Sequence, residues 1–204
     1  MKQQARVYIV DDDSGVRDGL QMLFESAGHT VSAFSTAEKF LQCYEPGAPC
    51  CLVLDLRMPG FSGLQLQELL ARQELPPPII FLTGHGNVPA AVKALKAGAM
   101  DFFQKPVINE QQLLDRVNEA IRQDCEARAE AIKREDFKQL LEQLTPREME
   151  VMERVCEGEA NKVIGIELGI SERTVELHRA HMMKKLGVHS VAELIHFRDS
   201  FRDL

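Results

Sequence analysis

The chain lacks any apolar run long enough to cross a bilayer as a helix. No leader is expected either, since the first residues are charged and polar and pass straight into a strand pattern. Both absences point to a soluble cytoplasmic protein with no membrane partner. Cysteine is scarce and poorly spaced for structural work. Cys43, Cys50, Cys51, Cys125 and Cys156 are odd in number and form no Cys-x-x-Cys or other metal-ligand spacing. That argues against a disulfide framework and favours reduced thiols. Excess positive charge is missing too. A net charge of −7 excludes a general nucleic-acid coat but leaves room for a local basic patch. A length of 204 residues allows one large domain or two small ones.

What is present in the first 120 residues is a strict alternation of strand and helix patterns. Val7–Val10, Thr30–Phe34, Cys50–Leu54, Ile79–Leu82 and Ala99–Phe103 read as strands. Helices follow, the first capped by Ser14 and stopped by Gly28, then Thr36–Tyr44, Gly63–Arg72 and Val88–Ala97, the last ended by Gly98. Such alternation predicts a doubly wound α/β fold with a five-stranded parallel sheet. The run Leu52-Val53-Leu54 fits a strand covered on both faces, and it ends abruptly in Asp55 and a Pro59-Gly60 turn.

The polar residues that end these strands carry the chemistry. Asp11 and Asp12 follow the first strand, Asp55 the third, Thr83 the fourth and Lys105 the fifth. In a parallel sheet these ends share one rim, where open α/β folds bind ligands. Three carboxylates there repel one another unless countered by positive charge. A hard divalent cation such as Mg²⁺, held by oxygen ligands, meets that need and suits a phosphoryl oxygen as a further ligand. Asp13 and Ser14 read as helix-capping residues only.

The motifs Val10-Asp11-Asp12, Leu54-Asp55-Leu56-Arg57-Met58-Pro59-Gly60, Thr83-Gly84-His85-Gly86 and Lys105-Pro106 match in order and spacing. Through them residues 5 to about 121 resemble a response-regulator receiver domain. The resemblance implies a flavodoxin-like or CheY-like fold. It implies Asp55 as phosphoacceptor, with a sensor histidine kinase as donor. It implies Mg²⁺ held by Asp11, Asp12, Asp55 and the main-chain carbonyl of Arg57. Thr83 and Lys105 would hold phosphoryl oxygens, Phe102 would be the switch aromatic, and the Lys105–Pro106 bond would be cis. No enzymatic activity is expected beyond self-catalysed phosphorylation and dephosphorylation of the aspartate. Haloacid-dehalogenase-like phosphatases also use an aspartyl nucleophile with Mg²⁺. Their nucleophile lies on the first motif strand and their acidic pair follows the lysine, the reverse of the order here.

Asn109–Ile121 reads as the last receiver helix. From Arg122 to Glu135 charges alternate with no glycine or proline, which predicts a solvated helical spacer over residues 122–143. Phe137, Leu140, Leu141 and Leu144 restore a weak stripe that could serve a plain tether or a short pairing coil. Thr145-Pro146-Arg147-Glu148 is a helix start with cap, early proline and capping-box glutamate. A helix, the Gly169-Ile170 turn and a helix capped by Ser171 then form a helix-turn-helix pattern. On that last helix Val175, Met182 and Leu186 face inward. Arg173, Leu177, Ala180 and Lys184 lie opposite, a mixture suited to a DNA groove.

These segments, with Leu168-Gly169-Ile170-Ser171-Glu172-Arg173-Thr174-Val175 and Lys185-Leu186-Gly187-Val188, resemble the LuxR-type DNA-binding domain. Receiver plus this domain is the architecture of the NarL/FixJ response regulators, and Thr174-Val175-Glu176-Leu177-His178-Arg179 leans to the FixJ branch. The expected organisation is a receiver over 1–121, a helical linker over 122–143 and a small all-α domain over 144–204. Candidate DNA contacts are Asn161, Lys162, Arg173, Thr174, Leu177, His178, Ala180, His181, Lys184 and Lys185. Glutamates are numerous here, so two copies are expected on paired half-sites of double-stranded DNA, as a homodimer formed on phosphorylation. Val191, Leu194 and Ile195 are candidate dimer contacts or core, and RNA polymerase is an expected partner. The alternative is a phosphorelay or interaction switch whose C-terminal helices bind protein.

Overall fold

A computed structural model describes residues 5–84 and 88–202, with main chain alone for 201 and 202. His85 and Gly86 of the expected Thr83-Gly84-His85-Gly86 motif lie outside the described residues. Contacts divide the chain into two compact units, meeting between Ala129 and Glu130. Among the described residues no helix is long and apolar enough to cross a membrane.

The first unit runs β1 (Arg6–Val10), α1 (Ser14–Ser26), β2 (Thr30–Phe34), α2 (Ala37–Cys43), β3 (Cys50–Asp55), α3 (Gly63–Leu70), β4 (Ile79–Thr83), α4 (Val88–Lys96) and β5 (Asp101–Gln104), and then enters α5 (Glu110–Glu142). The sheet is parallel throughout, in the order β2-β1-β3-β4-β5. Its central strands are apolar because both faces are covered. Tyr8, Val10, Leu52, Leu54 and Phe81 pack against Phe40 of α2, Leu66 and Leu70 of α3 and Ala94 of α4. Val7, Ile9, Val53, Ile80 and Leu82 pack against Leu20 and Phe24 of α1 and Leu113, Val117 and Ala120 of α5. Each fully buried leucine or phenylalanine in these layers contributes roughly 1.5–3 kcal/mol. The two layers fix the register and so bring the strand ends to one edge.

Two local expectations need correction. Asp13, not Ser14, caps α1: its Oδ1 accepts from the amides of Gly15 at 2.8 Å and Val16 at 3.2 Å. A carboxylate is the stronger acceptor for free helix amides. The fifth strand starts at Asp101 rather than Ala99. Gly98 adopts φ 91°, and the Ala99 amide still bonds back to Ala94, so the chain leaves α4 before pairing with β4.

The largest correction concerns the solvated spacer. One helix, α5, runs unbroken from Glu110 to Glu142. Asp124 and Arg128 are buried in the first unit, 5% and 7% exposed. They continue the inward stripe of Val117 and Ala120 at helical spacing, but with charged residues. Asp124 Oδ2 accepts from the Cys50 amide and from Arg128 Nε, both at 2.8 Å. Without that carboxylate the first amide of β3 would lose its buried acceptor. Burial pushes the Cys50 thiol up to about 12, with Asp124 adding to the rise and Arg128 opposing it.

The second unit takes the end of α5 and adds α6 (Pro146–Cys156), α7 (Asn161–Leu168), α8 (Glu172–Leu186) and α9 (Val191–Arg202). Val151, Met152, Val155, Ile164, Val175, Met182, Leu186 and Leu194 form its core, with Leu140 and Leu141 of α5 packed against it. The ring of Phe137 lies 4.7 Å from that of Phe197. The stripe considered for chain pairing thus serves its own unit. Leu194 is fully buried and is core rather than a dimer contact, while Val191 and Ile195 are partly covered in the same cluster. A Cβ on Gly165 would stand 2.8 Å from the Ile170 carbonyl oxygen, which is why the turn between α7 and α8 closes on glycine.

Replacing Arg128 with alanine is expected to strip Asp124 of its partner and cost the first unit about 3 kcal/mol. The double replacement Asp124→Ala/Arg128→Ala should cost less than the sum of the single ones. Urea unfolding followed by circular dichroism measures both, and strict additivity would remove the ion pair from the account.

Candidate functional site

At the carboxyl edge of the sheet Asp55 is the last residue of β3 and Asp11 follows β1 directly. Both are buried, at 7% and 1% exposure, whereas Asp12 is exposed. One carboxylate oxygen from each of the three lies within 4.8 Å of the others. Lys105, just past β5, sets its ammonium 2.5 Å from Asp11 Oδ2 and 3.2 Å from Asp55 Oδ2. Thr83 ends β4, is 1% exposed, and pairs across the sheet with Gln104. Its carbonyl accepts from the Lys105 amide at 2.7 Å, which holds the lysine's backbone against the rim. The Lys105–Pro106 bond is cis, as the resemblance implies. Arg57 is exposed, and its amide meets Asp55 Oδ1 at 3.4 Å. Phe102 is partly buried against the sheet face that carries α2, α3 and α4. The structure therefore brings together Asp11, Asp12, Asp55, Thr83 and Lys105, with Arg57 and Phe102 beside them.

Two contributors went unread in the sequence. Arg17, on the first turns of α1, donates to the carbonyls of Asp11 at 2.8 Å and Asp12 at 2.9 Å. It pins the loop that carries both acids. Its only signal was a cation one turn after an acidic loop. Gly63 starts α3 where any Cβ would collide with the Asp55 carbonyl oxygen. That closeness lets the loop after Asp55 fold back, with the Gly63 amide on the Leu56 carbonyl at 3.2 Å.

The rim is short of positive charge. Burial raises the Asp55 carboxyl above its usual range. Lys105 opposes that, Asp11 adds to it, and the Arg57 amide lowers it slightly. Among the described residues Asp11 Oδ2, fully buried, has no hydrogen-bond partner beyond its ion pair with the Lys105 ammonium. Three clustered carboxylates, one with an under-satisfied oxygen, fit a hard oxygen-seeking cation such as Mg²⁺.

In the second unit α8 buries Val175, Met182 and Leu186 as expected. Arg173, Ala180, His181 and Lys184 are exposed, and Leu177 is 54% exposed. A concavity of about 540 Å³ runs along Ser171, Arg173, Thr174, Glu176, Leu177 and Ala180. Thr174 and His178 are half-buried, and the Thr174 hydroxyl lies 2.7 Å from that of Ser171. Lys162 is exposed at the start of α7. Asn161 Oδ1 accepts from Arg179 Nη1 at 2.5 Å, so its carbonyl ties α7 to α8.

Lys185, expected at the DNA backbone, is engaged within the unit: its ammonium lies 2.6 Å from Oε2 of buried Glu148, on a side chain that keeps 33% exposure. Burial alone would raise the Glu148 carboxyl. Hydrogen bonds from Lys185, the Thr145 amide and the Thr145 hydroxyl outweigh it and hold the group at about 2. The same glutamate closes the capping box of α6. It therefore joins the start of α6 to the end of α8.

Residues 7–118 match the family described as response regulator receiver domain, and residues 142–198 match bacterial regulatory proteins, luxR family. Nodulation protein W of Bradyrhizobium diazoefficiens is 44% identical over 197 residues, covering 97% of this chain and 86% of that protein. The transcriptional regulatory protein FixJ of the same organism is 40% identical over 196 residues, covering 96% and 95%. The solved structure of the response regulator StyR superposes with a TM-score of 0.90 at 43% identity, covering 97% of this chain and 99% of that one.

Glu148 makes stability of the second unit depend on pH. Its folded value of about 2 lies below the ordinary 4.5, so the unfolded chain protonates first as pH falls. The contribution is complete above 4.5, declines through that value and is gone below about 2. Glu148→Gln should lower stability at neutral pH and flatten this acid limb. Urea midpoints of the C-terminal transition, taken down the pH series, test it. An unchanged slope would assign the acid sensitivity elsewhere.

Proposed function

We propose that this chain, which belongs to the NarL/FixJ family of two-component response regulators, accepts a phosphoryl group on Asp55 from a sensor histidine kinase and thereby controls promoter binding by α8. The observation that carries this reading is the convergence of Asp11, Asp12 and Asp55 with the Lys105 ammonium on one rim of the sheet.

Phosphoryl transfer asks little covalent help of a protein; it needs an aligned nucleophile and cations on the spreading negative charge. Asp55 supplies a carboxylate oxygen that forms the new P–O bond as the P–N bond to the donor imidazole breaks. Lys105 neutralises charge on the phosphoryl oxygens. Asp11, Asp12, Asp55 and the Arg57 carbonyl would hold Mg²⁺, which when bound offsets the charge that the carboxylates and phosphoryl group bring together. The acyl phosphate then presents new acceptor oxygens beside Thr83. A Thr83 hydroxyl turned toward them leaves space that Phe102 fills by packing alone, since it has no hydroxyl. That remodels the surface of α4 and β5, a two-state element biased by a local charge.

The output is homodimerisation and occupation of paired half-sites, with RNA polymerase as downstream partner. Arg173 and Lys184 would contact phosphates or guanine while Leu177 and Ala180 touch thymine methyls. Lys162 would contact the backbone. No turnover of an external substrate is part of this reading, and the setting is cytoplasmic.

Asp55→Asn is expected to abolish acid-labile labelling by acetyl phosphate, and chelation of Mg²⁺ should do the same to the wild type. Undiminished label on the variant would refute the acceptor assignment. Arg173→Ala and Lys184→Ala should each reduce by about one the slope of log affinity against log salt in a mobility-shift assay. Lys185→Met should instead lower stability and leave the slope intact. Binding that ignores salt would favour a protein-binding role for the C-terminal helices.

A further inference from the structure

The three acids of the rim are not held alike. Asp11 is fixed at both carboxylate oxygens, Oδ1 by the Asp13 amide at 3.0 Å and Oδ2 by the Lys105 ammonium. Asp12 is exposed, and among the described residues no hydrogen bond or ion pair holds its carboxylate. Where that carboxylate points is therefore set by its backbone. The direction of a side chain follows φ and ψ, the rotations between the two planar peptides that flank the residue. For Asp12 these are the 11–12 and 12–13 peptides. Nη1 of Arg17 donates to the carbonyls of both, at 2.8 and 2.9 Å. One nitrogen thus clamps both planes. Arg17 is itself seated in the first turns of α1, its amide on the Asp13 carbonyl at 3.1 Å.

We propose that Arg17 is a positioning residue for the cation: it aims the Asp12 carboxylate at the rim before the metal arrives and so tightens Mg²⁺ binding. The inference rests on the Mg²⁺-assisted phosphorylation reading above. A guanidinium beside acids would ordinarily pair with one of them and compete with a metal for it. Arg17 takes carbonyls instead, and among the described residues it forms no ion pair. The acids are thereby left for another cation. Its positive charge works the other way, because it repels an incoming metal. Arg17 is half-buried, so water and salt screen that repulsion. Even with Lys105, Arg17 and exposed Arg57 counted, the four aspartates Asp11, Asp12, Asp13 and Asp55 keep the rim negative. Fixing a ligand's orientation is worth about tenfold or more in metal affinity. The two effects have opposite signs, which lets one measurement separate them.

The test titrates Mg²⁺ into the full chain and follows amide chemical shifts. Arg17→Met should weaken binding about tenfold. Arg17→Lys keeps the charge but loses the planar fork, and should weaken it about as much. With Asp12→Asn already in place, Arg17→Met should change affinity by less than about twofold, because the group it orients is gone. Urea midpoints without metal check that each variant folds. Should Arg17→Met fail to fold, Arg17→Lys, alone and over Asp12→Asn, carries the same comparison. Unchanged or tighter binding by Arg17→Met would overturn the proposal, leaving Arg17 a repelling charge at most. Equal losses with and without the Asp12 carboxylate would overturn it too, since they report general damage to the loop. A wild type that binds no Mg²⁺ sinks the cation reading itself, and this one with it.

Discussion

An ammonium between two buried carboxylates is the contact on which the first unit turns. Lys105 reaches Asp11 and Asp55 from the end of β5, and it meets them only because three parallel strands end at the same height. Its single charge cannot balance three acids. The deficit is useful: a site already neutral would have little reason to take up a cation. The packed layers on both sheet faces hold the acids close despite their repulsion. Arg17 and Gly63 add the local constraints, one by holding the acidic loop and the other by admitting the backbone after Asp55.

The second unit repeats the theme with the opposite outcome. Glu148 and Lys185 form a closed pair that completes a cap and fastens α6 to α8. Arg154 gathers Glu159 and Glu167 in a similar way. Much of the charge in this unit therefore serves its own architecture, and the cations left exposed on α8 are few.

Most of the sheet was legible in the sequence because its signals are local. A strand buried on both faces must be apolar, and a rim that gathers polar groups must interrupt it with polar residues. Asp55, Thr83 and Lys105 stood out as those interruptions. The exposed face of α8 was legible by angle, since Val175, Met182 and Leu186 fixed which side was inward. The failures share a cause as well. Asp124, Arg128 and Glu148 are charged residues in inward places, and Asp124 and Glu148 are tolerated through partners distant in sequence, the Cys50 amide and the part-buried Lys185, while Arg128 leans on Asp124 one turn before it. Hydropathy reads a charge as solvent-facing, and no local pattern discloses the partner. Gly63 was hidden for a related reason, because its need for a bare Cα comes from a carbonyl eight positions away.

The bond from Asp124 to the Cys50 amide has a practical side. A receiver excised after Ile121 would keep every residue of the acidic rim and still forfeit the acceptor that seats its third strand. Such a fragment would carry a severed hydrogen-bond donor in its interior at the end of the sheet opposite the three clustered aspartates. Cutting after Ala129 keeps the seat intact, so the length chosen for an isolated module sets whether its behaviour reports on the protein or on the truncation.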